Sequence, residues 1–137
     1  MKRTQKTLIV EDSNFQAEVL ESMLHDIGIE HVTRAANGVQ ALEQFKSALK
    51  GGTPYALVFL DIVMPEMDGQ EALKRIRALE KDAEVAAGNM SVIIMTTILN
   101  SPNDMLESLI GGDCTDYIVK PLDEENLRCM LSKYDFI

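Results

Sequence analysis

The sequence has no tryptophan, two cysteines, four prolines and no long apolar run among its 137 residues. Its apolar runs are far shorter than the ~20 residues that cross a bilayer, which argues against a transmembrane helix. The basic start leads into a short run, Leu8–Val10, that the acidic residues Glu11 and Asp12 interrupt, so a secretory signal peptide is also excluded. We therefore expect a cytoplasmic protein with no membrane contact.

Basic residues are scarce as well. Thirteen lysines and arginines stand against twenty-two acidic residues, which gives a formal net charge of −9. A nucleic-acid-binding protein needs a basic surface that neutralises phosphates, so this composition argues against DNA or RNA as a partner. The cysteines, Cys114 and Cys129, lie in no CxxC or Cys/His pattern. We expect both to be reduced structural thiols.

Short apolar runs alternate with helical patterns along the chain, which predicts an α/β fold. The predicted strands are Thr7–Val10, His31–Ala36, Tyr55–Asp61, Ser91–Thr97 and Tyr117–Val119. A helical pattern follows each of them, and right-handed crossovers of this kind place helices on both faces of a parallel sheet. Strands buried on both faces read as continuous apolar runs, as these do. The length favours one domain.

The helical patterns predict which side chains face the core. In the first helix, between the N-cap Ser13 and the C-cap Gly28, the predicted core side consists of Phe15, Val19, Leu20, Met23, Leu24 and Ile27. In the second helix it consists of Val39, Leu42, Phe45 and Leu49. The polar stretch Glu80–Asn89 either extends the third helix or forms a surface loop, and the pattern leaves both possibilities open.

Polar side chains stand at the ends of four predicted strands. Glu11 and Asp12 follow the first strand, Asp61 ends the third, Thr96 lies at the end of the fourth, and Lys120 follows the fifth. The carboxyl ends of parallel strands meet at one edge, where ligands bind, so we expect these groups to lie close together. A buried strand that ends in one carboxylate indicates a functional role, although an acidic turn residue is the alternative.

Together these motifs resemble the receiver domain of bacterial two-component response regulators, particularly the free-standing chemotaxis type. The resemblance extends from Thr7 to about Leu131 and is carried by Glu11–Asp12, Asp61-x-x-Met-Pro-x-Met-Asp-Gly69, Thr96 and Lys120–Pro121. It implies a flavodoxin-like (βα)5 three-layer sandwich with a parallel sheet of order 2-1-3-4-5. It also implies a single receiver domain over residues 1–137 with no output domain.

The resemblance implies a phosphorylation-controlled signalling switch. Asp61 would accept a phosphoryl group from a sensor histidine kinase or a histidine phosphotransfer protein. Lys120 and Thr96 would contact the phosphoryl oxygens. Transfer and autodephosphorylation would be self-catalysed, so the protein is expected to be a phosphoacceptor and not a classical enzyme.

Output would require contact with a downstream protein. The resemblance implies that Thr96 and Tyr117 form the switch, although Tyr117 could instead be an ordinary half-buried strand aromatic. The surface that changes would be built from the fourth helix, the fifth strand and the fifth helix, around Asp104–Leu109 and Tyr117–Arg128.

Three carboxylates at one edge repel each other unless a cation shares the site, and Mg²⁺ is the cation that hard oxygen ligands of this kind favour. The resemblance implies that Asp12 and Asp61 bind Mg²⁺ directly, together with the backbone carbonyl of Val63, and that Glu11 acts mostly through water. Glu11 occupies a position where the family more often has aspartate, which leaves its coordination open. The resemblance also implies a cis Lys120–Pro121 peptide bond.

Two other function classes share features of this sequence. A haloacid-dehalogenase-like phosphatase also forms an aspartyl phosphate, but it needs a second aspartate at the position that Val63 occupies. A flavodoxin-like electron carrier needs phosphate-binding donors without carboxylates in the first loop, where Glu11 and Asp12 stand. Blander alternatives remain for two motifs: Glu11–Asp12 as the acidic first turn of a helix, and Lys120 as a solvated strand-end lysine.

Overall fold

The computed structural model describes residues 6–62, 64, 67–98 and 114–137. One parallel sheet contains the strands β1 (Thr7–Val10), β2 (Val32–Ala35), β3 (Leu57–Asp61), β4 (Val92–Ile98) and β5 (Asp116–Lys120). Their order is β2-β1-β3-β4-β5, and every pairing is parallel. The predicted fold class and strand order are therefore confirmed. The predicted fourth helix lies outside the described residues.

Four described helices follow their predicted positions. They are α1 (Asn14–Ile27), α2 (Gly38–Lys50), α3 (Gly69–Asp82) and a C-terminal helix (Glu124–Lys133). Each begins after a residue whose side chain accepts a backbone N–H of the first turn, namely Ser13, Asn37, Asp68 and Asp123. The open question about Glu80–Asn89 resolves into both alternatives, because α3 continues to Asp82 and a short 3-10 helix follows at Ala87–Asn89.

Two apolar clusters cover the two faces of the sheet. Leu8 and Val10 of β1 pack on one side with residues of α2 and α3, among them Phe45 and Ile76. Ile9, which points the opposite way, packs with residues of α1 and the C-terminal helix. The sheet and the helices packed on its two faces form the three layers that the apolar runs predicted. None of the helices in the described ranges is long and apolar enough to cross a membrane.

The core side of α1 differs from the prediction. Ala17, Leu20 and Leu24 are buried, whereas Phe15 is 75% exposed and Val19 is 37% exposed. The apolar residues of α1 occupy a wider arc than the sheet covers, so Leu20 and Leu24 reach the core while Met23 and Ile27 pack against its edge, partly buried. The prediction was wrong for Phe15 and Val19, and likewise for Val39 of α2, which is 45% exposed.

An ion pair at the amino end of the sheet joins α3 to the starts of β4 and β5. Arg77 donates to Glu80 Oε1 at 2.6 Å, to the carbonyl oxygen of Ser91 at 3.0 Å and to Thr115 Oγ1 at 3.3 Å. The backbone N–H of Ser91 donates to Glu80 Oε2 at 2.7 Å. The Glu80 side chain is 2% exposed, so both of its carboxylate oxygens are satisfied inside the protein.

A second polar group at the same end connects β5 to the last turn of the chain. Asp116 Oδ2 accepts hydrogen bonds from Lys133 Nζ at 2.8 Å and from the Tyr134 hydroxyl at 2.6 Å. Burial alone would raise the pKa of Asp116, but these two hydrogen bonds, together with one from the N–H of Tyr117, outweigh it, so its pKa lies below the usual value. The same contact raises the pKa of Lys133. Cys114 and Cys129, both within the described residues, form no disulfide, as predicted.

Candidate functional site

The third strand delivers Asp61 to the carboxyl edge of the sheet. All residues of β3 are buried, and Asp61 at its end is 6% exposed. Thr96 of β4 is its partner in the parallel register, and the next backbone N–H, of Ile62, donates to the Thr96 carbonyl at 3.1 Å. The pairing places Thr96, with its hydroxyl group, beside Asp61, as the strand-end pattern predicted.

Gly69 fixes the backbone of Asp61 from the other side. A Cβ atom at Gly69 would lie 2.2 Å from the carbonyl oxygen of Asp61, so only glycine fits this contact. The Gly69 N–H donates to the carbonyl of Ile62 at 2.8 Å, and Asp68 caps α3 through the N–H of Glu71. The Asp68–Gly69 pair therefore starts α3 directly against the strand end that carries Asp61.

Glu11 and Asp12 join Asp61 in an acidic cluster. Each of these three residues offers a carboxylate oxygen, and the three atoms lie within 4.8 Å of one another. Glu11 is buried at 8% exposure, while Asp12 is exposed. Partial desolvation, followed by hydrogen bonding and repulsion from Glu11, raises the pKa of Asp12. Carboxylates this close form a fitting set of hard oxygen ligands for a divalent cation.

Lys120 places its ammonium group at the acidic cluster. Its Nζ lies 2.7 Å from Glu11 Oε1 and 3.5 Å from Asp61 Oδ2. The side chain is 17% exposed, so it is not a solvated strand-end lysine. The Lys120–Pro121 peptide bond is cis, as the resemblance implied.

Gln16 is a member of the site that the sequence analysis missed. Its side-chain Oε1 accepts a hydrogen bond from Lys120 Nζ at 2.7 Å. Ser13-x-x-Gln16 matches a capping box, a pattern in which the glutamine side chain would return to the N–H of the serine. Here the N–H of Ser13 instead donates to Glu11 Oε2 at 3.2 Å. The sequence signal existed, but it indicated a different partner for Gln16.

Tyr117, a further predicted site residue, is not part of this acidic cluster. Tyr117 is partly buried, pairs in register with Met95, and packs against the apolar cluster on the α2 and α3 side of the sheet. Val63 and the segment Asp104–Leu109 lie outside the described residues. The role of Tyr117 as a switch therefore stays a prediction.

A cavity of about 390 Å³ opens beside Lys120, between α1 and the connection from β5 to the C-terminal helix. Its apolar rim includes Phe15 and Val19, the two large apolar residues of α1 that are exposed, together with Leu122. Gln16 and Lys120 form part of its polar side. Phe15 and Val19 therefore lie next to the acidic cluster.

Comparison with known proteins agrees with this geometry. The chain is 32% identical to chemotaxis protein CheY of Bacillus subtilis, over 93% of this chain and 95% of CheY. It is 30% identical to the osmosensing histidine protein kinase SLN1 of Saccharomyces cerevisiae, over 94% of this chain, but it spans only 10% of that kinase.

Two solved structures are similar over nearly the whole chain. One is the receiver domain of the sensor histidine kinase PA1611 from Pseudomonas aeruginosa, with magnesium in its active-site cleft. It has a TM-score of 0.75 and 29% identity, and the match covers 96% of this chain and 98% of that one. The other is the receiver domain of Ssk1 in complex with the Saccharomyces cerevisiae histidine phosphotransfer protein Ypd1. It has a TM-score of 0.78 and 30% identity, with 94% and 87% covered. The sequence profile of the response regulator receiver domain matches residues 7–132, and the chain belongs to that family.

Proposed function

We propose that this receiver domain is a phosphorylation-controlled switch in which Asp61 accepts a phosphoryl group from a phosphohistidine. The observation that carries the proposal is the position of Asp61: it is buried at a strand end, grouped with Glu11 and Asp12, and 3.5 Å from the ammonium of Lys120. A carboxylate nucleophile with acidic neighbours and one cation beside it suits the transfer of an anionic phosphoryl group.

The reaction exchanges one phosphorus bond for another. A carboxylate oxygen of Asp61 forms a bond to phosphorus while the P–N bond to the donor imidazole breaks, and the imidazole nitrogen keeps the electron pair. The Lys120 ammonium stabilises the charge on the phosphoryl oxygens, and the Thr96 hydroxyl donates to one of them. Because these groups belong to the acceptor, the transfer and the later hydrolysis are self-catalysed, and the protein is a phosphoacceptor and not a classical enzyme.

Mg²⁺ is the proposed cofactor. Asp12 and Asp61 would bind it directly, Val63 would add its backbone carbonyl, and Glu11 would act through water. The cluster of carboxylate oxygens within 4.8 Å supports this assignment, as does the magnesium ion in the PA1611 receiver domain. Glu11 is already engaged by Lys120 and by the N–H of Ser13, which supports its indirect role. When bound, Mg²⁺ neutralises charge on the phosphoryl oxygens.

The phosphoryl donor would be a sensor histidine kinase or a histidine phosphotransfer protein. The Ssk1 receiver domain in complex with Ypd1 is a relative with such a partner. A protein that brings its phosphohistidine to Asp61 must contact the surface beside the carboxyl edge of the sheet, where Phe15 is 75% exposed. We expect Phe15→Ser to slow transfer from a protein donor and to leave phosphorylation by acetyl phosphate unchanged. Equal rates with the protein donor would place the contact elsewhere.

Output requires that phosphorylation of Asp61 changes a surface where a downstream protein binds. Phosphorylation adds negative charge beside Thr96, whose neighbour in the sheet is β5. A shift of Thr96 and a rearrangement of Tyr117 would change the surface of the fourth helix, β5 and the C-terminal helix, where a downstream protein would bind. Of that surface, Tyr117–Arg128 lies within the described residues.

The test of the proposal is Asp61→Asn, since the amide has nearly the same shape but is neither a nucleophile nor an anionic ligand. With labelled acetyl phosphate and Mg²⁺, the wild type should form a hydroxylamine-sensitive acyl phosphate, and Asp61→Asn should form none. Asp82→Asn, the same change at an exposed position of α3, is the matched control and should behave as the wild type does. If Asp61→Asn retained label at wild-type levels in a hydroxylamine-resistant form, Asp61 would not be the phosphoacceptor.

A further inference from the structure

We propose that Gln16 is a positioning residue for phosphoryl transfer, whose amide oxygen holds the Lys120 ammonium at Asp61. The contact that points to this role is the 2.7 Å hydrogen bond from Lys120 Nζ to Gln16 Oε1. The inference rests on the proposed function, because Lys120 is useful at this place only if Asp61 receives a phosphoryl group.

Gln16 belongs to a closed ring of hydrogen bonds that joins the first loop to the end of β5. Lys120 Nζ donates to Glu11 Oε1 at 2.7 Å, and Glu11 Oε2 accepts from the N–H of Ser13 at 3.2 Å. Ser13 Oγ accepts from the N–H of Gln16 at 3.2 Å, and Gln16 Oε1 accepts from Lys120. We call these four residues, Lys120, Glu11, Ser13 and Gln16, the lysine ring.

The lysine ring explains why Gln16 is available to Lys120. In an ordinary capping box the Gln16 side chain would bond to the N–H of Ser13. Glu11 takes that N–H instead, so Gln16 is released from the capping role. Its backbone remains fixed by the Ser13 cap, and its amide oxygen faces the lysine.

A neutral acceptor has an advantage over a third carboxylate. An ammonium has three N–H donors, and those of Lys120 meet Glu11 and Gln16 at 2.7 Å and Asp61 at 3.5 Å. Glu11 and Asp61 belong to the cluster that would hold a cation, whereas Gln16 does not. Gln16 can therefore keep the flexible lysine stem in place without neutralising the charge that the phosphoryl oxygens need.

The first experiment replaces Gln16 by methionine, which keeps the length of the side chain and removes the amide oxygen. The rate constant for phosphorylation by acetyl phosphate, in saturating Mg²⁺, should fall about three- to tenfold, the loss expected for one hydrogen bond of ordinary net strength. The Mg²⁺ dissociation constant and the melting temperature should not change. Gln44→Met, the same substitution at an exposed position of α2, is the control and should keep the wild-type rate.

The second experiment asks whether Gln16 acts through Lys120. In a Lys120→Met background, adding Gln16→Met should have no further effect on the rate, because the partner of the amide oxygen is already gone. In the Lys120 wild-type background, the two ε-methylene protons of Lys120 should give distinct NMR signals with Gln16 present. These signals should merge in Gln16→Met as the side chain gains rotational freedom.

The outcomes separate this proposal from the proposed function. A wild type that forms no acyl phosphate overturns the function, and the positioning role that rests on it falls as well. A wild type that is phosphorylated, together with a Gln16→Met variant of equal rate, overturns the positioning role alone. An equal rate loss in the Lys120→Met background, or weaker Mg²⁺ binding in Gln16→Met, also overturns it, since Gln16 would then act independently of the lysine.

Discussion

The two ends of the sheet hold their charged groups in different ways. At the amino end, Glu80 accepts hydrogen bonds from Arg77 and from a backbone N–H through both oxygens, and Asp116 accepts from Lys133 and Tyr134. At the carboxyl end, Glu11, Asp12 and Asp61 crowd within 4.8 Å around one lysine. Charges at the amino end are compensated, whereas those at the carboxyl end are negative in excess.

The difference indicates that charged groups at the amino end stabilise the fold, whereas those at the carboxyl end serve binding and phosphoryl transfer. A buried carboxylate with all its partners contributes to a single packed arrangement, and removing a partner leaves a buried charge uncompensated. At the carboxyl end, desolvation, followed by hydrogen bonding and repulsion from Glu11, raises the pKa of Asp12, and a bound cation would relieve the repulsion among the clustered carboxylates. We therefore expect variants at the amino end to change the free energy of unfolding, and variants at the carboxyl end to change binding and transfer.

Arg77→Met gives the largest expected effect on stability. It leaves the Glu80 carboxylate, 2% exposed, without its guanidinium, and we expect a loss of about 3–5 kcal/mol in the free energy of unfolding, measured with urea. Arg75→Met is the matched control, because Arg75 pairs with Glu71 at 57% and 48% exposure and should cost under about 1 kcal/mol. Similar losses for the two variants would break the comparison between the ends.

Asp12→Ala should weaken Mg²⁺ binding about ten- to a hundredfold, as expected for a direct ligand. Glu11→Ala should weaken it less, because Lys120 and the N–H of Ser13 already occupy the Glu11 carboxylate. NMR shifts during a Mg²⁺ titration measure both constants. Equal or reversed losses would refute the direct and indirect roles assigned to the two residues.

Asp116→Asn should destabilise the protein by about 1 kcal/mol at neutral pH, since it weakens the hydrogen bonds from Lys133 and Tyr134. The pKa of Asp116 in the folded protein lies below the unfolded value of 3.8. Its contribution is therefore fully present above pH 3.8 and is lost as the pH falls through the lower, folded pKa. Unfolding free energies of wild type and variant should converge in that acidic range, and a constant difference would contradict the assigned cause.

The smallest effect is expected for Asp12→Asn without metal. Because its pKa is raised in the folded protein, the wild type loses stability as the pH rises through that value, and the variant does not. Asp12 is exposed, so solvent screening limits the gain to about 0.2–0.5 kcal/mol at pH 7. In excess Mg²⁺ the order should reverse, because the wild type binds the cation more tightly. Thermal unfolding in a chelator and in Mg²⁺ measures both signs.

The accuracy of the sequence predictions followed the range of the interactions involved. The helix caps at Ser13 and Gly28 were predicted correctly, because a cap depends on residues a few positions apart. The core side of α1 was predicted too wide, because Phe15 and Leu20 look alike in a hydrophobic pattern and only the position of the sheet decides which one it covers.

By itself, the sequence determined the alternation of strands and helices, the parallel sheet and the residue types at its carboxyl edge. Apolar periodicity, caps and strand-end residues are local properties, and the crossover rule converts them into one topology. Only the tertiary structure decided that Gln16 meets Lys120, more than a hundred positions along the chain, and that Glu11 replaces it at the N–H of Ser13. Such pairings depend on how β1, α1 and β5 meet in space, and no spacing along the chain encodes that distance.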